Sequence, residues 1–147
     1  MNYRAGIGGI VMSVVMSTSA LAQSTLGELL DAGGKRMAAA DVASALSGAS
    51  VDGPTKPGGM LRADFKADGS FSGTVQGPSG GKPTGIVGTW AVDANGKLCT
   101  EFTLTATATG MRKDSSCGYY FKNGDQYYVT ESGTDRSALL LKRTIKK

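Results

Sequence analysis

The feature that most constrains this chain is an alternation of apolar and polar residues that turn sequences interrupt three times. From about residue 50, apolar side chains recur at every second position, the period of a half-buried β-strand. The turn sequences are Ala67-Asp68-Gly69-Ser70, Asp93-Ala94-Asn95-Gly96 and Lys122-Asn123-Gly124-Asp125. Because Asp-Gly and Asn-Gly favour tight turns, the pattern predicts three hairpins, with a type I′ turn at Asn123-Gly124.

The hairpins and two further runs predict about eight short strands. A tentative first strand covers Ala49–Asp52, and a closing strand covers Ser137–Ile145, where Leu139, Leu141 and Ile145 share a face. Short strands joined mostly by hairpins indicate a mainly β fold, either an antiparallel β-barrel or a sandwich. We favour the barrel because closure removes the exposed edge strands that a sandwich would have to protect.

Three segments between the predicted strands are rich in turn-forming or polar residues. Gly53–Gly59 and Gly77–Pro83 are predicted to be exposed loops, and Thr107–Ser116 is predicted to be a third connection. Loops at the ends of β-scaffolds often carry binding residues, although each of these also has a simple interpretation as a connection.

The N-terminus has the pattern of an export signal. Arg4 precedes an apolar run from Ala5 to about Met16, and Ala20-Leu21-Ala22 is a small-residue cleavage site before Gln23. We therefore predict a signal peptide at residues 1–22 and a periplasmic or secreted mature protein, with an uncleaved amphipathic anchor as the alternative. The run is shorter than the roughly 20 residues of a membrane-spanning helix, so no stable membrane anchor is expected after cleavage.

Residues 23–48 are predicted to form a short helical lead-in to the β-domain at residues 49–147. Thr25-Leu26-Gly27-Glu28 fits a capping box, and Gly33-Gly34 ends the helix that follows. A second helix begins near Ala39 or Ala40 and stops at Gly48. The lead-in either covers an open end of the β-structure or forms a flexible arm.

Size and charge limit the classes of function. Removing 22 of 147 residues leaves 125, enough for one domain, and the mature chain has 15 basic and 12 acidic residues, a net charge of +3. The basic residues are scattered except for a group at the C-terminus: Lys142, Arg143, Lys146 and Lys147. We interpret that group as the solvated end of the last strand and predict no nucleic-acid binding.

Cys99 and Cys117 lie eighteen positions apart and are predicted to form a disulfide that straps the 107–116 connection. Exported proteins favour such bonds, and a loop of this size would contribute on the order of 3 kcal/mol in the chain-entropy model. A redox or metal pair is the weaker interpretation, because the chain has no Cys-x-x-Cys spacing and no histidine.

The sequence predicts neither an enzyme nor a cofactor or metal site. Histidine is absent, and the acids Asp64, Asp68, Glu101 and Glu131 each have an ordinary strand or turn interpretation. The oxygens of Asp93, Asn95 and Asp125 lack the spacing of an EF-hand calcium loop, so we assign them to turns as well.

Aromatic residues are the candidate binding residues. Adjacent tyrosines on both strands of one hairpin must place one of each pair inward and the other outward: Tyr119, Tyr120, Tyr127 and Tyr128. The outward pair either stabilises the hairpin by stacking or presents a surface for a protein or glycan. Trp90 either packs in the core or stacks on a ligand.

Gly88-Thr89-Trp90 resembles the Gly-x-Trp of lipocalins and the Gly-Thr-Trp of avidins, both small β-barrels. In those families the motif lies on the first strand, whereas here it follows a long segment. The tryptophans that line an avidin pocket are missing, so biotin binding is disfavoured. The wider layout, with residues 88–99 followed by 117–128, is similar to small exported proteobacterial proteins of uncharacterised function, a likeness that implies no activity or site residues.

These observations predict an exported binding module. The favoured partner is a small apolar or amphipathic molecule in the mouth of a barrel. The alternatives are an envelope protein that docks on the tyrosine hairpin and Gly-rich loops, with this chain acting as a hydrolase inhibitor, or a structural role in the envelope without a discrete ligand.

Overall fold

The computed structural model describes residues 24–107 and 110–147, without the side chains at 106 and 107. The predicted signal peptide at residues 1–22 lies outside these residues. Within them the chain forms two short helices and nine strands. These are α1 (Leu26–Asp31), β1 (Lys35–Arg36), α2 (Ala39–Leu46), β2 (Ala49–Pro54), β3 (Met60–Phe65), β4 (Ser70–Gly77), β5 (Gly80–Val92), β6 (Lys97–Thr107), β7 (Gly110–Asn123), β8 (Gln126–Thr130) and β9 (Leu141–Lys146).

Strands β2 to β9 form a closed antiparallel barrel. Each strand pairs with the next one along the chain, and β9 returns to pair with β2. β8 is hydrogen-bonded to both β7 and β9, so the ring has no gap at that point. Eight strands in this up-and-down order confirm the predicted barrel and exclude the sandwich. The sequence pattern did not predict β1. Its two residues pair with Phe121 and Lys122 of β7, which lie past the point where the ladder between β6 and β7 ends.

The three predicted hairpins are present, but the predicted type I′ turn is wrong. Asn123 pairs with Gln126 inside the ladder, so Gly124 and Asp125 occupy the two central positions of the turn. Gly124 has a φ of 57°, and among the described residues only glycines have positive φ. Positive φ at the first central position alone is typical of a type II′ turn, which also matches the twist of the strands.

Two segments predicted to be connections are largely strand. β5 already begins at Gly80, after a tight turn at Pro78-Ser79, although residues 77–83 are exposed as expected. β6 and β7 together occupy most of the predicted 107–116 connection. These stretches consist mainly of glycine and polar residues, so they carry no alternation that the sequence pattern could detect.

The disulfide between Cys99 and Cys117 is confirmed, but it does not strap a loop. The two residues are direct partners in the ladder between β6 and β7. Because that ladder continues on both sides of the bridge, the bond joins two strands that are already paired. It fixes the register of the barrel's longest hairpin.

The two helices of the lead-in pack against the barrel in different places. Val42 and Leu46 of α2 are fully buried in the main core with Val51, Phe65 and Leu98, so α2 covers one end of the barrel. α1 lies on the outer wall, where Leu26 and Leu29 pack against Phe121 and Leu140. None of the helices in the described residues is long and apolar enough to cross a membrane.

The predicted capping box begins α1. The Thr25 side chain accepts a hydrogen bond from the backbone N–H of Glu28, and the Glu28 carboxylate accepts from the backbone N–H of Thr25. The backbone N–H of Ser24, its hydroxyl and the Thr25 N–H lower the pKa of Glu28 below its ordinary value. These bonds satisfy N–H groups that the first helical turn leaves without partners.

The closing strand is shorter than predicted. It covers Leu141–Lys146, while the residues before it form a loop. Leu140 turns outward beneath α1, and Leu139 makes an isolated bridge to Thr25. The segment therefore follows the first helix rather than the sheet, because packing against α1 overrides the local alternation.

Replacing both Cys99 and Cys117 by serine should lower the free energy of unfolding by about 3 kcal/mol or less, since the paired strands already hold these residues together. Urea unfolding measures this change. Glu101→Ser, at an exposed position two residues away on β6, is the control and should change stability by about 0.5 kcal/mol or less. Alkylation of the unreduced native chain should find no free thiol, and two labelled cysteines would contradict the bond.

Candidate functional site

The barrel encloses a cavity of about 670 Å³. Its walls are inward-facing residues of the strands, and its rim is formed by the loops that join β2 to β3 and β8 to β9. Those loops lie at the end of the barrel opposite α2. The cavity therefore extends from the core towards a mouth that the helix does not cover.

An aromatic cluster forms the closed end of the cavity. The rings of Phe65 and Phe71 stack with their centres 5.3 Å apart, and Phe102 meets Phe71 edge-on at 6.3 Å. All three side chains line the cavity and also belong to the core against which Val42 and Leu46 of α2 pack. Side chains thus fill the α2 end of the barrel, while the opposite half stays open.

Small residues occupy several inward positions of the barrel. The ladder register places five of them on the inner face: Gly53, Ala63, Gly73, Gly88 and Gly118. At Gly88, an added Cβ would lie 2.8 Å from the Cα of Phe102 on the neighbouring strand, so a side chain there has no room. Glycine at these positions therefore allows neighbouring strands to approach closely.

Arg143 is the one charged residue among the described residues that is buried on the inner face. Its exposed fraction is 7%, and it lies between the inward-facing Leu141 and Ile145 on β9. Nη1 donates hydrogen bonds to the carbonyl oxygens of Pro54 at 2.7 Å and Lys142 at 3.0 Å. The guanidinium also interacts with the Tyr120 hydroxyl across the interior.

Burial shifts both groups of this inner pair. Removal from water raises the pKa of Tyr120, and the neighbouring Arg143 charge opposes that rise. The same removal lowers the pKa of Arg143, and Tyr120 opposes that fall. Arginine nevertheless remains protonated in proteins, so the cavity wall carries a buried positive charge.

Charged residues at the mouth are engaged with one another or with the backbone. Lys56 pairs with Glu131 at 2.9 Å and so links the β2–β3 loop to the residue that follows β8. On the other side of the mouth, Asp114 pairs with Arg112 at 3.3 Å. Asp135 accepts hydrogen bonds from the hydroxyl and backbone N–H of Ser137, which lower the pKa of Asp135.

Helix α1 holds the β8–β9 loop in place. Arg136 forms a 2.6 Å ion pair with Asp31 and donates to the carbonyl of Gly27, while its own carbonyl accepts from the Gly27 N–H. The Leu26 N–H donates to Ala138. This loop contributes residues to the cavity rim, so the N-terminal helix positions one side of the mouth.

The predicted tyrosine group is divided between the two faces of the barrel wall. Tyr120 faces inward, is 3% exposed and lines the cavity. Tyr119 and Tyr128 face outward, but they are half-buried against the α1 cluster, and the guanidinium of Arg36 lies 4.1 Å from the Tyr119 ring centre. Tyr127 is half-buried beneath Lys122. The four residues do not form a continuous exposed surface.

Trp90 packs at the α2 end of the barrel. Its ring meets Phe65 edge-on, with the ring centres 5.8 Å apart, and its indole N–H donates to the carbonyl of Lys66. It is not among the residues that line the cavity. The structure therefore places the tryptophan in the core, the first of the two interpretations that its sequence position allowed.

Arg143 was missed because it was grouped with the terminal basic residues as solvated. That interpretation is wrong for Arg143, whereas Lys142, Lys146 and Lys147 are exposed. The period-two pattern contained the correct signal, since Arg143 lies midway between Leu141 and Ile145 and therefore shares their apolar face. Arg143 was assigned to the solvent because it is charged, although its position in the pattern indicates the inner face.

Comparison with known proteins identifies a family but no activity. Residues 11–136 match the family profile described as "Protein of unknown function (DUF995)". Searches of curated proteins and of solved structures found no match. The likeness of Gly88-Thr89-Trp90 to lipocalins and avidins thus stays a resemblance of three residues. In the described residues, no group of three or more His, Cys, Asp or Glu side chains could hold a metal ion.

Tyr120→Ala should lower the free energy of unfolding by about 3–5 kcal/mol, as removal of a buried aromatic side chain does. Tyr127→Ala, on the same hairpin and half-exposed, is the matched control and should cost about 1 kcal/mol or less. Urea unfolding of both variants measures the difference. Equal losses would mean that Tyr120 is not part of the packed interior.

Proposed function

The chain belongs to the family described as "Protein of unknown function (DUF995)", and we propose that it is an exported binding protein that holds a small amphipathic molecule inside its barrel. On this proposal the protein binds its ligand without transforming it. The family assignment brings no activity, so the proposal depends on the cavity.

The single observation that carries the proposal is a cavity of the right size and chemistry. Its volume of about 670 Å³ lies within the roughly 300–1,000 Å³ typical of small-molecule sites. Aliphatic and aromatic side chains form most of its wall, among them Leu61, Val75 and Ile86. Polar groups are concentrated at Arg143, Tyr120 and the mouth. An apolar interior with a few polar groups suits an amphipathic molecule.

Protein docking through the tyrosine hairpin is less well supported. α1 already occupies the outer face there, and Tyr119 and Tyr128 pack against it. A different observation favours a partner protein as the second candidate function. The ladder between β6 and β7 continues to Thr107 and Gly110, beyond the last pair of β5 with β6 at Ile86 and Leu104, and Met111 is 80% exposed. Strands that extend past their neighbour and carry an exposed apolar residue would suit an accessory protein or a hydrolase inhibitor.

Export is supported by two features that do not depend on the cavity. The first 22 residues have the pattern of a signal peptide, and the Cys99–Cys117 disulfide is of a kind that persists in oxidising compartments.

Expression of the full chain in a bacterial host tests export. The protein recovered from the periplasm or the medium should begin at Gln23 when its intact mass is measured, because the signal is expected to be removed after Ala22. Recovery only from the cytoplasm with residues 1–22 retained would contradict export and leave the cavity proposal standing.

Filling the cavity tests the binding proposal. The neutral fluorophore N-phenyl-1-naphthylamine should bind the wild-type chain in a saturable manner. Val75→Trp should weaken this binding about tenfold or more, because Val75 lines the cavity and the larger ring would occupy it. Val87→Trp, on the outer face of β5 and 49% exposed, is the matched control and should bind as the wild type does.

Binding is measured by fluorescence titration, and thermal melting first confirms that each variant is folded. Leu61→Trp, also at the cavity wall, repeats the test if Val75→Trp does not fold. The absence of saturable binding to the wild type, or equal binding by the Val75 and Val87 variants, would overturn the proposal.

A further inference from the structure

The charge at Arg143 has no counter-ion in the described part of the chain. The four ion pairs found there use other cations: Lys56, Arg62, Arg112 and Arg136. The contacts of the Arg143 guanidinium are two carbonyl oxygens and a tyrosine hydroxyl, all of them neutral. Burying a charge is costly unless an opposite charge compensates it, which leaves this site electrostatically incomplete.

The carboxylates that share the cavity with Arg143 are already engaged. Glu131 pairs with Lys56, Asp114 pairs with Arg112, and Asp135 accepts both hydrogen bonds that Ser137 donates. All three are exposed side chains at the mouth. The chain thus supplies an acidic partner to its rim cations and leaves the inner cation without one.

The neighbouring strand β2 leaves room for the Arg143 side chain. The ladder between β2 and β9 ends at Asp52 and Thr144, so the next inward position on β2 is Gly53. A Cβ on Gly53 would lie 2.6 Å from Nη1 of Arg143. Because glycine stands there, the guanidinium can lie against the wall.

The guanidinium keeps hydrogen-bonding capacity on the cavity side. Of its five N–H donors, the two on Nη1 point to carbonyl oxygens, which leaves those on Nη2 and Nε for Tyr120 and a ligand. Arg143 and Tyr120 both line the cavity, so an occupant can reach them.

We propose that Arg143 binds the anionic headgroup of the ligand, which is a single-chain amphiphile with an oxyanion at one end. The headgroup pairs with the guanidinium beside Tyr120, and the apolar chain lies against the walls and the aromatic floor. Carboxylates and phosphates share this chemistry, since both accept parallel hydrogen bonds from a guanidinium. The inference rests on the proposed function, because it requires a ligand in the cavity.

Three amphiphiles with the same apolar chain test the headgroup. Dodecanoate, dodecyl phosphate and dodecanol compete with N-phenyl-1-naphthylamine for the wild-type chain, with the disulfide intact. At least one anion should displace the fluorophore at about one-tenth of the dodecanol concentration or less, as a hydrogen bond to a charged group provides. The anion that competes better identifies the headgroup as carboxylate or phosphate.

Variants at Arg143 assign the preference to this residue. Arg143→Met should reduce the preference for the anion to about twofold or less while dodecanol binding stays close to the wild-type value. Arg143→Lys, which keeps the charge, should retain part of the preference. Arg62→Met is the matched control, because Arg62 is an exposed arginine on the outer face that pairs with Asp52. It should keep the full preference.

The outcomes separate this inference from the proposed function. If dodecanol and both anions bind the wild type equally, Arg143 only ties β9 to β2, and the inference fails while the binding proposal stands. If neither the fluorophore nor any amphiphile binds, both fail. The wild-type comparison needs no variant, so it decides the inference even if Arg143→Met does not fold.

Discussion

The fold depends on the pairing of the short strand β8 with neighbours on both sides. Its five residues form ladders with β7 and β9, and β9 in turn pairs with β2, so these contacts close the ring. Without them β7 and β9 would be the free edges of an open sheet, exposed to pairing with other chains. Closure also turns one face of the sheet into the interior of a barrel that all eight strands surround. The core, the cavity and the placement of α2 at one end all follow from it.

The sequence predicted the hairpin order well because local turn chemistry and period-two alternation are properties of neighbouring residues. The prediction failed where contacts between residues that are distant in sequence determine the structure. Leu140 leaves the alternation because α1 covers it, and residues 110–116 form a strand although they lack an alternating apolar pattern. The sequence showed that one tyrosine of each pair faces outward, but it identified neither Tyr119 and Tyr128 as that pair nor the helix that packs against them. Arg143 was misassigned because a terminal charge was assumed to be solvated even though its position in the pattern was inward.

The cavity and the buried charge lie at the same place in the barrel. Arg143 is one of the residues that line the cavity, and glycine at position 53 leaves the space that the Arg143 guanidinium occupies. A protein selected for stability alone would be expected to fill such space and to avoid a buried unpaired cation, since both lower stability. Open volume and an incomplete ion pair at one place are therefore better explained by function than by folding.

If the barrel binds a small molecule as proposed, coverage of one end by α2 means that the affinity and the rate of exchange depend on different parts of the structure. Any molecule in the cavity contacts the floor and walls, which determine how tightly it is held. It must enter and leave past the loops at the opposite end, which determine how fast it exchanges. One of those loops is tied to α1 through Arg136, Asp31 and Gly27. On the proposed function, the N-terminal helix would therefore influence residence time from the outer wall without touching the bound molecule.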